Sequence, residues 1–237
     1  MSGLGTLINT AAIILGGLLG LTCGKFLKPA AQDGLCKACG VATLFLGIAG
    51  AMEGMLAVQT EGLSSGNSML VILSLALGTL VGELLRIEER FERLGIWLRE
   101  KTGNAKDPRF VEAFVTASLT VCIGAMAIVG AIQDGIAHDI SVLTAKALLD
   151  LILIMVMTGS MGKGCAFSAL PVAVWQGSIT LLSGMLRPVL TEAAIANLSL
   201  VGSILIFCVG VNLIWGKTLR VANMLPAVVF AAGAAFL

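Results

Sequence analysis

The sequence lacks most of what a chain needs to keep a folded surface in water. Only 12% of its 237 residues are charged, tyrosine is absent and histidine occurs once, while 57% of the chain is hydrophobic and the mean hydropathy is +1.00. Charge this sparse excludes an ordinary soluble domain. With His138 as the single histidine, no Ser-His-Asp triad or metal-hydrolase constellation can be assembled, so the residues point away from an enzyme. A phosphate loop is missing too. The stretch Gly159-Ser160-Met161-Gly162-Lys163-Gly164 places too few residues between its glycines and no Ser or Thr after the lysine. Cys36 and Cys39 form a CxxC without a second pair or a neighbouring histidine, which is half of a zinc site, and no metal or cofactor is expected.

What the chain does have is apolar runs. A helix needs about 20 residues to cross roughly 30 Å of hydrocarbon, and about eight runs of that order can be read, with seven as the fallback. They cover residues 3–24, 38–58, 67–85, 110–133, 141–160, 165–186, 193–215 and 221–237, the last being short and carrying Asn223 and Pro226 near its start. The first has no charge and runs too long for the apolar region of a signal peptide, so it reads as a span. The expected fold class is therefore an all-α polytopic membrane bundle, with residues 1–237 forming one integral membrane domain in the lipid bilayer.

Basic residues sort the loops, because cytoplasmic segments accumulate Lys and Arg. An outside N-terminus gathers Lys25, Lys28, Lys37, the run from Arg86 to Arg109, Lys163, Lys217 and Arg220 inside, leaving only Arg187 on an outer loop and Lys146 within a span. The 86–109 segment is then a charged cytoplasmic loop. Its basic residues alternate with Glu88, Glu89, Glu92 and Glu100, which reads as a solvated or interfacial helix and not as a nucleic-acid surface.

Small residues recur every fourth position as Ala12, Gly16, Gly20 and Gly24, as Ser74, Gly78 and Gly82, and as Cys165, Ala169, Ala173 and Gly177. Such stripes let helix backbones approach closely where lipid supplies no hydrophobic drive. They imply a compact bundle and are compatible with a homodimer interface. A faint echo links Gly24-Lys25-Phe26-Leu27-Lys28, Gly82-Glu83-Leu84-Leu85-Arg86 and Gly216-Lys217-Thr218-Leu219-Arg220. It fits either an old duplication or a recurrent way of ending a helix at a basic interface.

Polar groups inside the spans are costly and mark candidate sites. Asp150 sits near the middle of the fifth span with Lys146 one turn before it, the spacing at which two side chains pair, although Lys146 could equally reach the interface by snorkelling. Gln176 lies mid-way along the sixth span beside Gly177 and after Pro171, where a proline inside a helix would produce a kink. Glu112, Thr116 and Thr120, with Ser118 between them, lead inward along the fourth span. Asn9 and Glu53 fall in the outer halves of the first two spans, and Asn212 and Asn223 in the inner halves of the last two. Asn, Gln, Ser and Thr in such places are more often interhelical glue than ligands.

The run from Phe110 to Leu119, followed by Cys122 to Gly135, resembles the YqgA-like family of uncharacterised bacterial inner-membrane proteins. So do Lys146-Ala147-Leu148-Leu149-Asp150, Ser168-Ala169-Leu170-Pro171, Gln176-Gly177-Ser178-Ile179-Thr180 and Val221-Ala222-Asn223-Met224-Leu225-Pro226. The resemblance implies a multi-span protein of the bacterial inner membrane and brings no activity with it. Two functions fit the residues: a transporter or channel for a small solute or ion with its site between the fourth, fifth and sixth spans, or a membrane scaffold whose buried polar groups only lock helices together.

Overall fold

The computed structural model describes residues 2–59, 62–123, 125–186 and 191–236, so Arg187 and Gly124 lie outside the described residues. Local signals explain the element boundaries. Helix α1 spans Leu4–Gly24, and α2 spans Pro29–Met55 with Pro29 in its first turn, where a missing N–H costs nothing. A short antiparallel hairpin follows, β1 (Leu56–Gln59) and β2 (Gly62–Ser65), with Leu56 opposite Ser65. Helix α3 (Ser68–Leu85) ends where Arg86 turns left-handed at φ 50°, and α4 (Ile87–Lys101) departs from there. Next come α5 (Phe110–Cys122), α6 (Ala125–Ala137) and α7 (Ser141–Met161). Gly162, at φ 104°, ends α7 and leads into a 3-10 turn over Lys163–Ser168 that feeds α8 (Ala169–Leu186). Thr191 caps α9 (Glu192–Trp215) by accepting the Ala194 amide, and α10 (Val221–Met224), α11 (Pro226–Gly233) and a 3-10 turn over Ala234–Phe236 follow.

The protein is a polytopic helical membrane protein. Six helical segments are long and apolar enough to cross a bilayer, and α5 with α6 makes a seventh if that bent pair is one span. The segment Val221–Phe236 is apolar but shorter, because Pro226 and the turn before it divide it into α10 and α11. The second expected span is also redrawn: its helix begins at Pro29 and stops at Met55, and residues 56–59 are strand.

Each of the first three helices packs on a partner from the second half of the chain. Helix α1 lies against α7, where a Cβ at Gly16 or Gly20 would strike the backbone carbonyls of Leu151 and Met155. Helix α2 lies against α9, with Gly47 on the Phe207 backbone. Helix α3 lies against α10 and α11, with Gly78 on Ala227 and Gly82 on the Asn223 carbonyl. The third small-residue stripe is buried over its first half, at Cys165 and Ala169, and opens at Gly177. Cys165 donates to the Ala113 carbonyl at 3.5 Å, whereas a Cβ at Gly177 would meet nothing.

The kink expected at Pro171 and Gly177 does not form. Pro171 falls in the first turn of α8, after the 3-10 turn, where its lack of an N–H interrupts no ladder, and α8 continues unbroken past Gly177 to Leu186. The break lies instead between α5 and α6, whose axes differ by 60°.

One end of the bundle collects the charged segments. Lys217 pairs with Glu88 at 2.9 Å and with Glu92, Arg220 pairs with Glu83 at 3.2 Å, and Lys163 donates to Asn104 at 3.3 Å. Asn212 accepts the Thr218 and Leu219 amides at 3.0 and 2.9 Å, and Asn223 accepts the Glu88 amide at 2.7 Å. Both asparagines therefore tie connecting segments together.

Candidate functional site

Helix α5 stops because Ile123 is extended, at φ −81° and ψ 124°. A helix that stops leaves its last carbonyls without amides, and a bare carbonyl inside a membrane costs several kcal/mol, on the order of 3. Lys146 supplies the missing donor. Its Nζ donates to the Val121 carbonyl at 2.9 Å and to Asp150 Oδ2 at 2.6 Å. The two side chains are 9% and 7% exposed, so Lys146 is a buried partner and does not snorkel. Helix α7 brings both to the break because positions four apart share a face, and a lysine at the C-terminal end of α5 also meets the negative end of that helix's dipole.

A second set of polar groups reaches the same place from α1 and α8. Asn9 and Gln176 are completely buried, and the Asn9 amide donates to Gln176 Oε1 at 3.1 Å. Asn9 also faces the Asp150 carboxylate. Asn9 Oδ1 and Gln176 Nε2 have no partner among the described residues. Next along both helices, Thr6 and Thr180 share a hydrogen bond of 3.3 Å. At the start of α1, Asp134 accepts the amides of Gly3 and Gly5 at 3.1 and 3.0 Å. The seam stops in the other direction at Ile13 and Val172, both fully buried. Among the described residues, polar contacts thus run from the start of α1 to the broken span.

On the opposite side, a cavity of about 530 Å³ opens among the charged segments and follows α5 as far as Leu119, one turn short of the break. Its walls carry Asp33, Glu88, Glu92 and Glu112 against Lys37 and Lys217. Lys37 pairs with Asp33 at 2.8 Å, and Lys217 with Glu88 and Glu92. Glu112 has no ion pair among the described residues. Partial burial pulls Lys217 down, but the Glu92 and Glu88 carboxylates outweigh it and hold the amine above the ordinary lysine value.

The structure therefore joins Asp150, Lys146, Gln176 and Asn9 in one buried cluster and places Glu112 and Thr116 in the vestibule leading toward it. It separates the others. Ser118 is fully buried but donates to the Phe114 carbonyl of its own helix at 2.6 Å. Glu53 is exposed near the end of α2, beside the hairpin. Pro171 and Gly177 do not open a carbonyl for the site. Sequence reasoning missed the Val121 carbonyl, since a backbone group has no residue signature, and the Ile123-Gly124 pair was the one local hint of a break. Asp134, one residue past the expected fourth span, belongs to the last turn of α6 and is fully buried.

The family described as "Protein of unknown function (DUF554)" matches residues 4–236. The chain belongs to this family. It is 31% identical to the uncharacterized membrane protein YdfK of Bacillus subtilis over 223 residues, which covers 94% of the chain and 91% of that protein. It is 27% identical to the uncharacterized protein YqgA of Escherichia coli over 235 residues, covering 96% and 94% respectively. No solved structure matches the chain.

Proposed function

We propose that the protein carries a small polar solute or an ion across the bacterial inner membrane, through the region where the broken α5–α6 span meets α7, α8 and α1. One observation carries this reading. A span is interrupted inside the membrane, and the carbonyl it frees is held by a buried, mutually paired lysine and aspartate. Charged groups in lipid are costly and are retained where they serve a pathway, and interrupted helices are where transporters build their sites. The vestibule that stops one turn short of the break supports the same reading, since it supplies an approach from one side.

The vestibule side is taken as cytoplasmic because it gathers the basic loops, which places the N-terminus outside. A cysteine introduced in the 86–109 segment should then be shielded from an impermeant thiol reagent in intact cells, and one near His138 should be labelled. The reverse pattern overturns this orientation.

Transport itself is tested by uptake into vesicles containing the purified protein, under imposed ion and pH gradients. Uptake is expected for the parent and lost in Asp150→Asn. The contrary result is a parent that moves nothing under any gradient while the pair behaves as pure glue. That would make the protein a scaffold whose buried polar groups only join helices.

A further inference from the structure

The charges of α4 alternate in sign along the sequence, but the helix sorts them by side. At 3.6 residues per turn, Glu88, Glu92, Gly95 and Leu98 share one face. That face is packed. Glu88 and Glu92 hold Lys217, Glu88 accepts the Ala222 amide at 3.1 Å, and a Cβ at Gly95 would press on Val111 and Phe114 of α5. The opposite face carries Arg90, Arg93, Trp97 and Lys101, all exposed, with Arg86 exposed at the turn before it. Glu89 and Glu100 lie along one edge of this face and Leu94 along the other. Arg90 and Lys101 have no ion pair among the described residues, while Arg93 and Arg86 reach Glu89 only at 3.6 and 3.9 Å. Exposed pairs of this kind contribute little, so all four cations are available to a partner.

Two contacts set the height of α4 in the bilayer. Its Glu92 pairs with Lys217, two residues past Trp215, which ends α9 and is largely exposed. Tryptophans gather at the boundary between hydrocarbon and water, so Trp215 marks that level. Gly95 lies beside Val111, the second residue of α5, which puts the middle of α4 at the end of another span. Helix α4 therefore lies at the headgroup level of the charged end, and a fully solvated face there would have no use for the exposed Leu94, Ile96 and Trp97.

We propose that the outward face of α4 is a docking surface for anionic phospholipid headgroups in the leaflet at the charged end of the bundle. Arg90 and Arg93 offer planar guanidinium forks to phosphate oxygens and Lys101 a point charge. Trp97, in the middle of these cations, sits at the boundary with the acyl chains. Clusters of basic residues on an amphipathic helix next to a span are drawn to the negative surface of such a leaflet. The surface stands apart from the transport reading, because it uses the side of α4 turned away from the vestibule.

The test uses the full-length protein with Trp175→Phe and Trp215→Phe, which leaves Trp97 as the single tryptophan of the three. Both replaced side chains are exposed, so the fold should persist. In neutral detergent micelles, phosphatidylglycerol brominated on its acyl chains should quench Trp97 fluorescence at a lower mole fraction than brominated phosphatidylcholine does. Arg90→Gln, Arg93→Gln and Lys101→Gln together should reduce this preference about fivefold per cation, on the order of 100-fold in all. These three side chains lie off the packed face, so the unfolding temperature should stay near that of the parent. Arg90→Lys with Arg93→Lys keeps the charge and should keep most of the preference. Rising sodium chloride should weaken it in the unsubstituted face as well, which reads the same electrostatics without relying on the triple variant. Equal quenching by the two lipids, a preference undiminished in the folded triple variant, or one indifferent to salt would each overturn the proposal. Quenching by neither lipid would overturn it too, placing Trp97 in water and leaving the cations to a soluble acidic partner.

Discussion

The span that contains a proline is continuous, and the span that contains none is broken. Pro171 enters α8 in its first turn, where no amide is required. In α5 it is Ile123 that turns extended and frees the Val121 carbonyl, and this break persists because Lys146 from another helix satisfies the exposed group. The comparison teaches that residue type alone does not locate a helix break inside a membrane. What decides is whether the stranded backbone groups find a partner, and here that partner is a charge that must itself be neutralised, which Asp150 does.

The largest expected effect comes from removing that neutralisation. Asp150→Asn should strand the buried ammonium and lower stability by about 3–5 kcal/mol. The double change Asp150→Asn with Lys146→Met should recover much of the loss, because no unpaired charge remains. Thermal unfolding of the purified variants measures this, and equal stabilities for parent and single variant would break the account of the pair.

A smaller effect should follow from loosening the helix that presses α7 toward the break. Gly16→Leu would drive a side chain into the Leu151 carbonyl, and overpacking of this kind costs about 1–3 kcal/mol. The same change at Gly177, where a Cβ meets nothing, should leave assembly as it is. If Gly16→Leu accumulates and runs as the parent does in size-exclusion chromatography, the close approach of α1 and α7 is not needed.

Smaller again is the contribution of the lysine at the vestibule. Lys217 is 45% exposed, and surface pairs contribute about 1 kcal/mol or less. Its folded value lies above the ordinary 10.5, so the stabilisation is fully present below that pH and is lost as the pH rises through the raised value. Lys217→Met should therefore differ modestly from the parent at neutral pH, and the difference should disappear in strongly alkaline solution. High salt should shrink it as well, whereas salt should leave the effect of Asp150→Asn in place.

The smallest effect is expected at Pro171. Pro171→Ala should shift stability by about 0.5 kcal/mol or less, because the first turn of a helix has no ladder for proline to break. A large loss would mean that the ring holds the junction of the 3-10 turn and α8, and would restore part of the role that its sequence position suggests.

Much of this arrangement is legible from residues alone. The apolar runs locate α1, α3, α7 and α9 nearly to the residue, because about 20 apolar positions in a row have few uses outside a bilayer. Lys146 and Asp150 stand out for the same reason: a charge in such a run is an anomaly with a cost. Other features were out of reach. Asn9 and Gln176 are far apart in the chain, and their meeting depends on how α1 and α8 cross. Glu53 and Ser118 have the same polarity as the residues that converge, yet one faces outward and the other bonds its own helix.

By itself, then, the sequence determined that this is a helical membrane protein with a lysine and an aspartate one turn apart in an apolar segment, because hydrocarbon tolerates only long apolar helices and penalises every exception. The tertiary structure decided where a helix breaks and what the exceptions serve. A freed carbonyl, an unpartnered amide oxygen and a vestibule that ends at Leu119 arise from side chains and backbones that only packing brings within reach of one another.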